Sequence, residues 1–289
     1  MDPALILRDL AEGRSRGIAR SQRIGRAVRM LTFGMARTGE VEAAKVERLL
    51  VEAVQAARPR PRVVAVLSGS GGTGTTTTAA GIAATMAALR DDAVVLVDAQ
   101  TGTGSLAARM PGVAVQRAVP TAWDLAVRGE RAVPRAQQGR PAVVDAAPRG
   151  APMTPYHLER ALDALAARYT FLVLDLGDDA GALAGLADRV VVVTVPAEAA
   201  VDGARRALDR VGRCGPEVAE TAAVAVVCRE PAAHRRLVRR LHEELSADVA
   251  RLVLVPYDRA LDGPGLPDPV RLRPATREAY LALAALAAG

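Results

Sequence analysis

The sequence predicts an α/β fold, a mostly parallel sheet flanked by helices on both faces and preceded by a helical arm. Three observations predict it. Short runs rich in Val and Ala alternate with longer alanine-rich stretches of helical length. A glycine-rich segment directly follows the first such run in the body of the chain. Arg58-Pro-Arg-Pro-Arg62 punctuates the chain and divides an arginine-rich arm, 1–60, from a Val/Ala-rich body, 61–289. With 50% hydrophobic and 24% charged residues among 289, the disordered and fibrous classes are excluded. Aromatics are 2% and Trp123 is the only Trp, so the core must be built from Ala, Val and Leu.

The arm comes first. From Arg14 to Arg37 it holds seven arginines and no acid, and Ile24, Val28, Leu31 and Met35 recur at helical spacing. Arg20, Arg23, Arg26 and Arg29 are its candidate anion-facing side chains. Such a helix can lie on an anionic membrane, touch phosphate backbones or dock on a partner, or it can pack on the body with its arginines solvated. In the body, Val63–Leu67, Ala93–Val97, Ala142–Val144, Phe171–Leu174, Val190–Val195, Ala222–Val227 and Leu252–Val255 read as buried strands. The intervals 76–90, 154–168, 181–188, 198–212, 231–246 and 275–288 read as helices. The fifth of these carries a second basic cluster, Arg235, Arg236, Arg239 and Arg240, partly offset by Glu243 and Glu244.

Several function classes drop out. Cys214 and Cys228 cannot build a disulfide framework, which fits a reducing cytoplasm, and His157, His234 and His242 lack metal-ligand spacing. The N-terminus reads as no signal peptide, and the longest apolar stretches, Ala79–Leu89 and Val190–Val195, are too short for a membrane span. The formal charge of +6 permits an acidic partner, nucleic acid or anionic lipid, without requiring one. Lys45 is the only lysine.

Ser68-Gly-Ser-Gly-Gly-Thr-Gly-Thr-Thr-Thr-Thr78 lies between a predicted strand and a predicted helix, the context in which a glycine loop cradles phosphate through backbone N–H groups and a helix N-terminus. The candidate phosphate ligands are Gly69, Ser70, Gly71, Gly72, Thr73, Gly74, Thr75, Thr76 and Thr77. Gly69, Gly74 and Thr76 meet the frame G-x-x-x-x-G-K-[ST], with Thr75 at the lysine position.

Ser70–Thr77 resembles, residue by residue, the K-G-G-x-G-K-[ST]-T loop of the MinD/ParA family of deviant Walker A ATPases, with Ser70 and Thr75 at the two lysine positions. The resemblance continues through Ala93–Gln100, which matches the strand ending in the family's D-x-D element with Asp98 retained and Gln100 at the second acid. Tyr169–Asp175 looks like the Walker B strand, Ala187–Pro196 looks like the strand after it, and Cys228 stands where the family has an adenine-reading Asn. A narrower likeness spans nearly the whole chain. The arm, Val255-Pro-Tyr-Asp-Arg259 and Thr276-Arg-Glu-Ala-Tyr-Leu-Ala-Leu-Ala284 resemble actinobacterial MinD-like proteins associated with type VII secretion.

The resemblance implies a P-loop domain for ATP or ADP, with the Thr76 hydroxyl, Asp175 and Asp98 on the Mg²⁺ side. The departures imply a degenerate site. A lysine contacting phosphate is worth roughly 1.5–3 kcal/mol, so its loss weakens nucleotide binding about ten- to a hundredfold. Losing one positioned donor also costs about 10²–10³ in phosphoryl-transfer rate. Position 100 further lacks the carboxylate that would organise the attacking water. The expectation is a pseudo-ATPase acting in the cytoplasm, or peripherally at the inner face of the membrane, as regulator or scaffold of a partner complex in type VII secretion or cell-envelope machinery. Two alternatives stand beside it: an active ATP-dependent dimerisation switch, and a non-specific DNA- or membrane-surface module working through the arm.

Overall fold

The computed structural model describes residues 40–100, 106, 120–146, 154–178, 181–197, 199–231, 235–245, 251–263, 265 and 267–289. Its centre is a seven-stranded sheet in the order β3-β2-β4-β1-β5-β6-β7 with every pairing parallel. The strands are β1 (Arg62–Ser68), β2 (Val94–Asp98), β3 (Ala142–Val144), β4 (Phe171–Gly177), β5 (Arg189–Thr194), β6 (Ala223–Val227) and β7 (Leu252–Val255). The helices are α1 (Glu40–Gln55), α2 (Thr75–Leu89), α3 (Ala122–Arg128), α4 (Pro155–Ala166), α5 (Ala200–Cys214), α6 (Pro216–Glu220), α7 (Arg235–Leu245) and α8 (Pro274–Ala288).

Parallel strands buried on both faces need apolar side chains at every position, which is why they are uninterrupted Val/Ala/Leu runs. Successive side chains then serve opposite cores. Val64 and Val66 of β1, with Val94 and Leu96 of β2, face α1, α2 and α8. Ala65, Leu67, Val95 and Val97 face α3, α4, α5 and α7. Arg90, 8% exposed, ties α1 to the body: it pairs with Asp92 at 2.5 Å, donates to the carbonyls of Val54 and Ala56, and lies 4.7 Å over the Phe171 ring.

All seven expected strands occur, with ends shifted by up to three residues, the largest shift being Phe171–Leu174, which runs on to Gly177. The helical readings need three corrections. Residues 181–188 form a 3-10 turn, Gly181–Leu186, because two glycines in six residues do not support an α-helix. Helix α3 was not expected, although Thr121-Ala-Trp-Asp124 is a capping box: Asp124 N donates to Thr121 Oγ1 at 3.0 Å and Thr121 N donates back to Asp124 Oδ2 at 3.1 Å. The short α6 was not expected either. The expected amphipathic arm helix with Arg20, Arg23, Arg26 and Arg29 lies outside the described residues. Among the described residues, no helix is long and apolar enough to cross a membrane.

Candidate phosphate site

In a parallel sheet all strands point the same way, so the loops that follow them gather at one edge. Here the loops after β1, β2, β4, β6 and β7 gather around a cavity of about 640 Å³.

The glycine loop runs from β1 into α2, and close packing fixes its path. A Cβ on Gly69 would lie 1.8 Å from the carbonyl oxygen of Gly203 in α5, so the loop and that helix touch backbone to backbone. Gly72 (φ 74°) and Gly74 (φ 92°) sit in the left-handed region, which curls the chain into the start of α2. Gly74 is the N-cap of α2, no side chain caps the helix, and no acid stands in its first turn. Its free N–H groups and dipole are therefore left to face an anion. Two arginines hold the loop from outside the motif. Arg210 Nη2 donates to the Ser68 carbonyl at 3.2 Å, and Arg229 Nη1 donates to the Gly72 carbonyl at 2.5 Å.

Thr75, at the lysine position, is only 7% exposed, and its hydroxyl lies 3.1 Å from that of Thr73. It packs within the loop and, like Thr76, borders the cavity. Thr76 borders the cavity, and its hydroxyl accepts a hydrogen bond from Gln100 Nε2 at 3.1 Å. Gln100 is placed by the end of β4. The β1–β4 register shifts there, pairing Val66 with Asp175 and Leu67 with Gly177, and a Cβ on Gly177 would come within 2.9 Å of Gln100 Cδ.

Asp98 and Asp175 are register partners at the ends of β2 and β4, 4% and 1% exposed. Asp98 accepts from the N–H of Gln100 at 3.0 Å and of Leu106 at 3.1 Å. Burial pushes its carboxyl up to about 7; the Gln100 N–H opposes that rise and the Asp175 charge adds to it. On the far wall, Cys228 is 8% exposed and its thiol is pushed up by burial. Tyr257 Oη donates to Asp262 Oδ2 at 2.7 Å. Asp258 accepts from the N–H of Arg273 at 2.7 Å and of Ala260 at 3.1 Å. Burial disfavours its charge, but these bonds, with one from the Thr276 side chain and the nearby Arg273 charge, hold the carboxyl below the usual range.

The structure thus gathers the loop, Asp98, Gln100 and Asp175 at one edge of the sheet. Loop backbone suits a phosphate chain, and the oxygens of Thr76, Asp98 and Asp175 are of the hard type that suits Mg²⁺, but of the three only Thr76 borders the cavity, Asp98 and Asp175 being buried residues that do not line it. Of the second basic cluster, the exposed Arg239 and Arg240 do not line the cavity and pair with Glu243 at 2.9 Å and Glu244 at 2.5 Å one turn on. Arg229, Asp178 and Tyr257 border the cavity without having stood out in the sequence as site residues. Arg229 could have been found as the residue immediately after Cys228. Among the described residues no group of His, Cys, Asp or Glu is arranged to hold a metal by itself.

A glycine loop joining β1 to α2 at the carboxyl edge of a parallel sheet is the arrangement of phosphate-binding α/β proteins, the P-loop class among them. Within it, the chain has the fold of the MinD and ParA ATPases. A ParA family ATPase from Chlorobium tepidum superposes with a TM-score of 0.57 at 17% identity, over 78% of this chain and 98% of that one. MinD of Aquifex aeolicus gives 0.58 at 17%, over 77% and 94%. A plasmid partition protein of Borrelia burgdorferi B31 bound to AMPPNP gives 0.60 at 14%, over 78% and 97%. Identities this low establish the fold alone. No family model matches the sequence, and no curated protein matches it.

Proposed function

We propose that this chain is a MinD/ParA-like P-loop protein with a degenerate nucleotide site, a pseudo-ATPase that regulates or scaffolds a partner complex. The observation that carries this reading is the state of the two positions where hydrolysis needs charge. Thr75 is buried against Thr73, and Gln100 donates an amide N–H to Thr76, the hydroxyl on the Mg²⁺ side. The loop backbone still supports binding of ATP or ADP through Gly69–Thr77, with Thr76, Asp98 and Asp175 holding Mg²⁺, at an affinity about ten- to a hundredfold below that of a loop with its lysine. The AMPPNP complex of the Borrelia protein supports nucleotide as the ligand of this fold. The partner complex belongs, on the sequence likeness, to type VII secretion or cell-envelope machinery, met in the cytoplasm or at the inner face of the membrane. An ATP-dependent homodimerisation switch, and a module that meets anionic membrane or DNA through the arm, are the alternative readings.

Phosphate release from Mg·ATP tests the reading. The natural protein should release none above buffer, and Ser70→Lys/Thr75→Lys/Gln100→Asp should raise the rate. Steady turnover by the natural protein, about one per minute or faster, would make it a working switch.

A further inference from the structure

Among the described residues that line the cavity, three are carboxylates, Asp178, Asp258 and Asp262, and one is a cation, Arg229. An anion entering the cleft meets this acidic wall, while the glycine loop offers only backbone dipoles and hydroxyls. A single full positive charge therefore decides whether phosphate oxygens are admitted.

Arg229 is placed to supply it. It leaves the end of β6, and its Nη1 donates to the Gly72 carbonyl at 2.5 Å. The same atom lies 3.7 Å from where a Cβ on Gly72 would sit, so the guanidinium rests against the turn of the loop. That is its one hydrogen bond among the described residues, leaving the rest of a five-donor fork open. The side chain is exposed and borders the cavity, so those donors are reachable from it. A guanidinium fork matches paired phosphate oxygens better than any other side chain. Arg210, the other loop-holding arginine, uses its Nη2 on the Ser68 and Asp178 carbonyls and does not line the cavity.

We propose that Arg229 is a phosphate-binding cation of this site, supplied from the loop after β6 and making up only part of the charge that position 75 does not provide. The ligand is the polyphosphate of a nucleotide. The inference rests on the reading above that the glycine loop takes phosphate.

Calorimetric titration of the full chain tests it, with ADP, ATP, tripolyphosphate and adenosine as probes, on the natural protein, Arg229→Ala, Arg229→Lys and Arg160→Ala. Arg160 is an exposed arginine on α4, away from the cavity. Arg229→Ala should weaken ADP, ATP and tripolyphosphate about tenfold or more, leave adenosine unchanged and flatten the salt dependence. Arg229→Lys should recover part of the loss, and Arg160→Ala should bind like the natural protein. ATP binding tighter than tripolyphosphate assigns the nucleotide, whereas equal binding overturns it in favour of a polyphosphate site. The role of Arg229 is overturned if Arg229→Ala binds the phosphate probes as the natural protein does, if it weakens adenosine equally, or if the natural protein binds none of them. Thermal melting of each variant separates these results from misfolding. Phosphate release by the natural protein would overturn the pseudo-ATPase reading and leave Arg229 in place.

Discussion

Asp98 holds its proton to a higher pH when folded than when unfolded, and the sign of the consequence follows. Between the unfolded value near 3.8 and the folded value of about 7, the native state keeps a proton that the unfolded chain has released. Stability from this group is therefore fully present below 3.8 and is lost as pH rises through 7, by roughly 4 kcal/mol in total. Asp98→Asn removes the titration. Urea unfolding of the nucleotide-free protein at pH 4.5 to 7.5 should show the natural protein losing stability more steeply than the variant; parallel curves would contradict the assignment. Gln100 and Thr75 show what a sequence leaves hidden at this scale. Their identities were legible as departures from a motif. That one would touch Thr76 and the other turn to Thr73 depends on the β1–β4 register shift and on loop curvature, which no local pattern encodes.

Among elements, α2 and α8 meet at a residue that tolerates no growth. A Cβ on Gly81 would lie 2.2 Å from Cε1 of the fully buried Tyr280. Gly81→Ala should therefore destabilise by about 1–3 kcal/mol despite the better helix propensity of Ala. Thermal melting checks it, and an unchanged or raised midpoint would mean the helices separate freely. Arg90 acts on α1 in a comparable way. Arg90→Ala leaves Asp92 and the Val54 and Ala56 carbonyls without their donor, at a cost of roughly 2–4 kcal/mol. Hydrogen exchange should quicken first in residues 46–54; uniform quickening across the sheet would contradict a local role. Strands were more legible than helices because double burial forces unbroken apolar runs, whereas the Gly181–Leu186 turn and the capped α3 differ from α-helix or loop by only a few residues.

For the whole molecule, the parallel sheet does the work of convergence. Residues as far apart as Ser68, Gln100, Asp178, Arg229 and Asp258 reach one cavity because each ends or follows a strand that stops at the same edge. The glycine loop was legible from its place between a strand and a helix, and Asp98 and Asp175 were singled out only through the resemblance to MinD/ParA strands. The far wall was not, because Arg229, Tyr257 and Asp258 belong to loops with no motif of their own that names a ligand. On the function proposed above, the phosphate cradle survives while its charge is lost from the loop. Calorimetric titration with Mg·ATP, natural protein beside Ser70→Lys/Thr75→Lys, tests it most directly. The variant should bind about ten- to a hundredfold tighter than the natural protein. Equal micromolar binding by both would contradict it, because the loop would then need no lysine to hold phosphate.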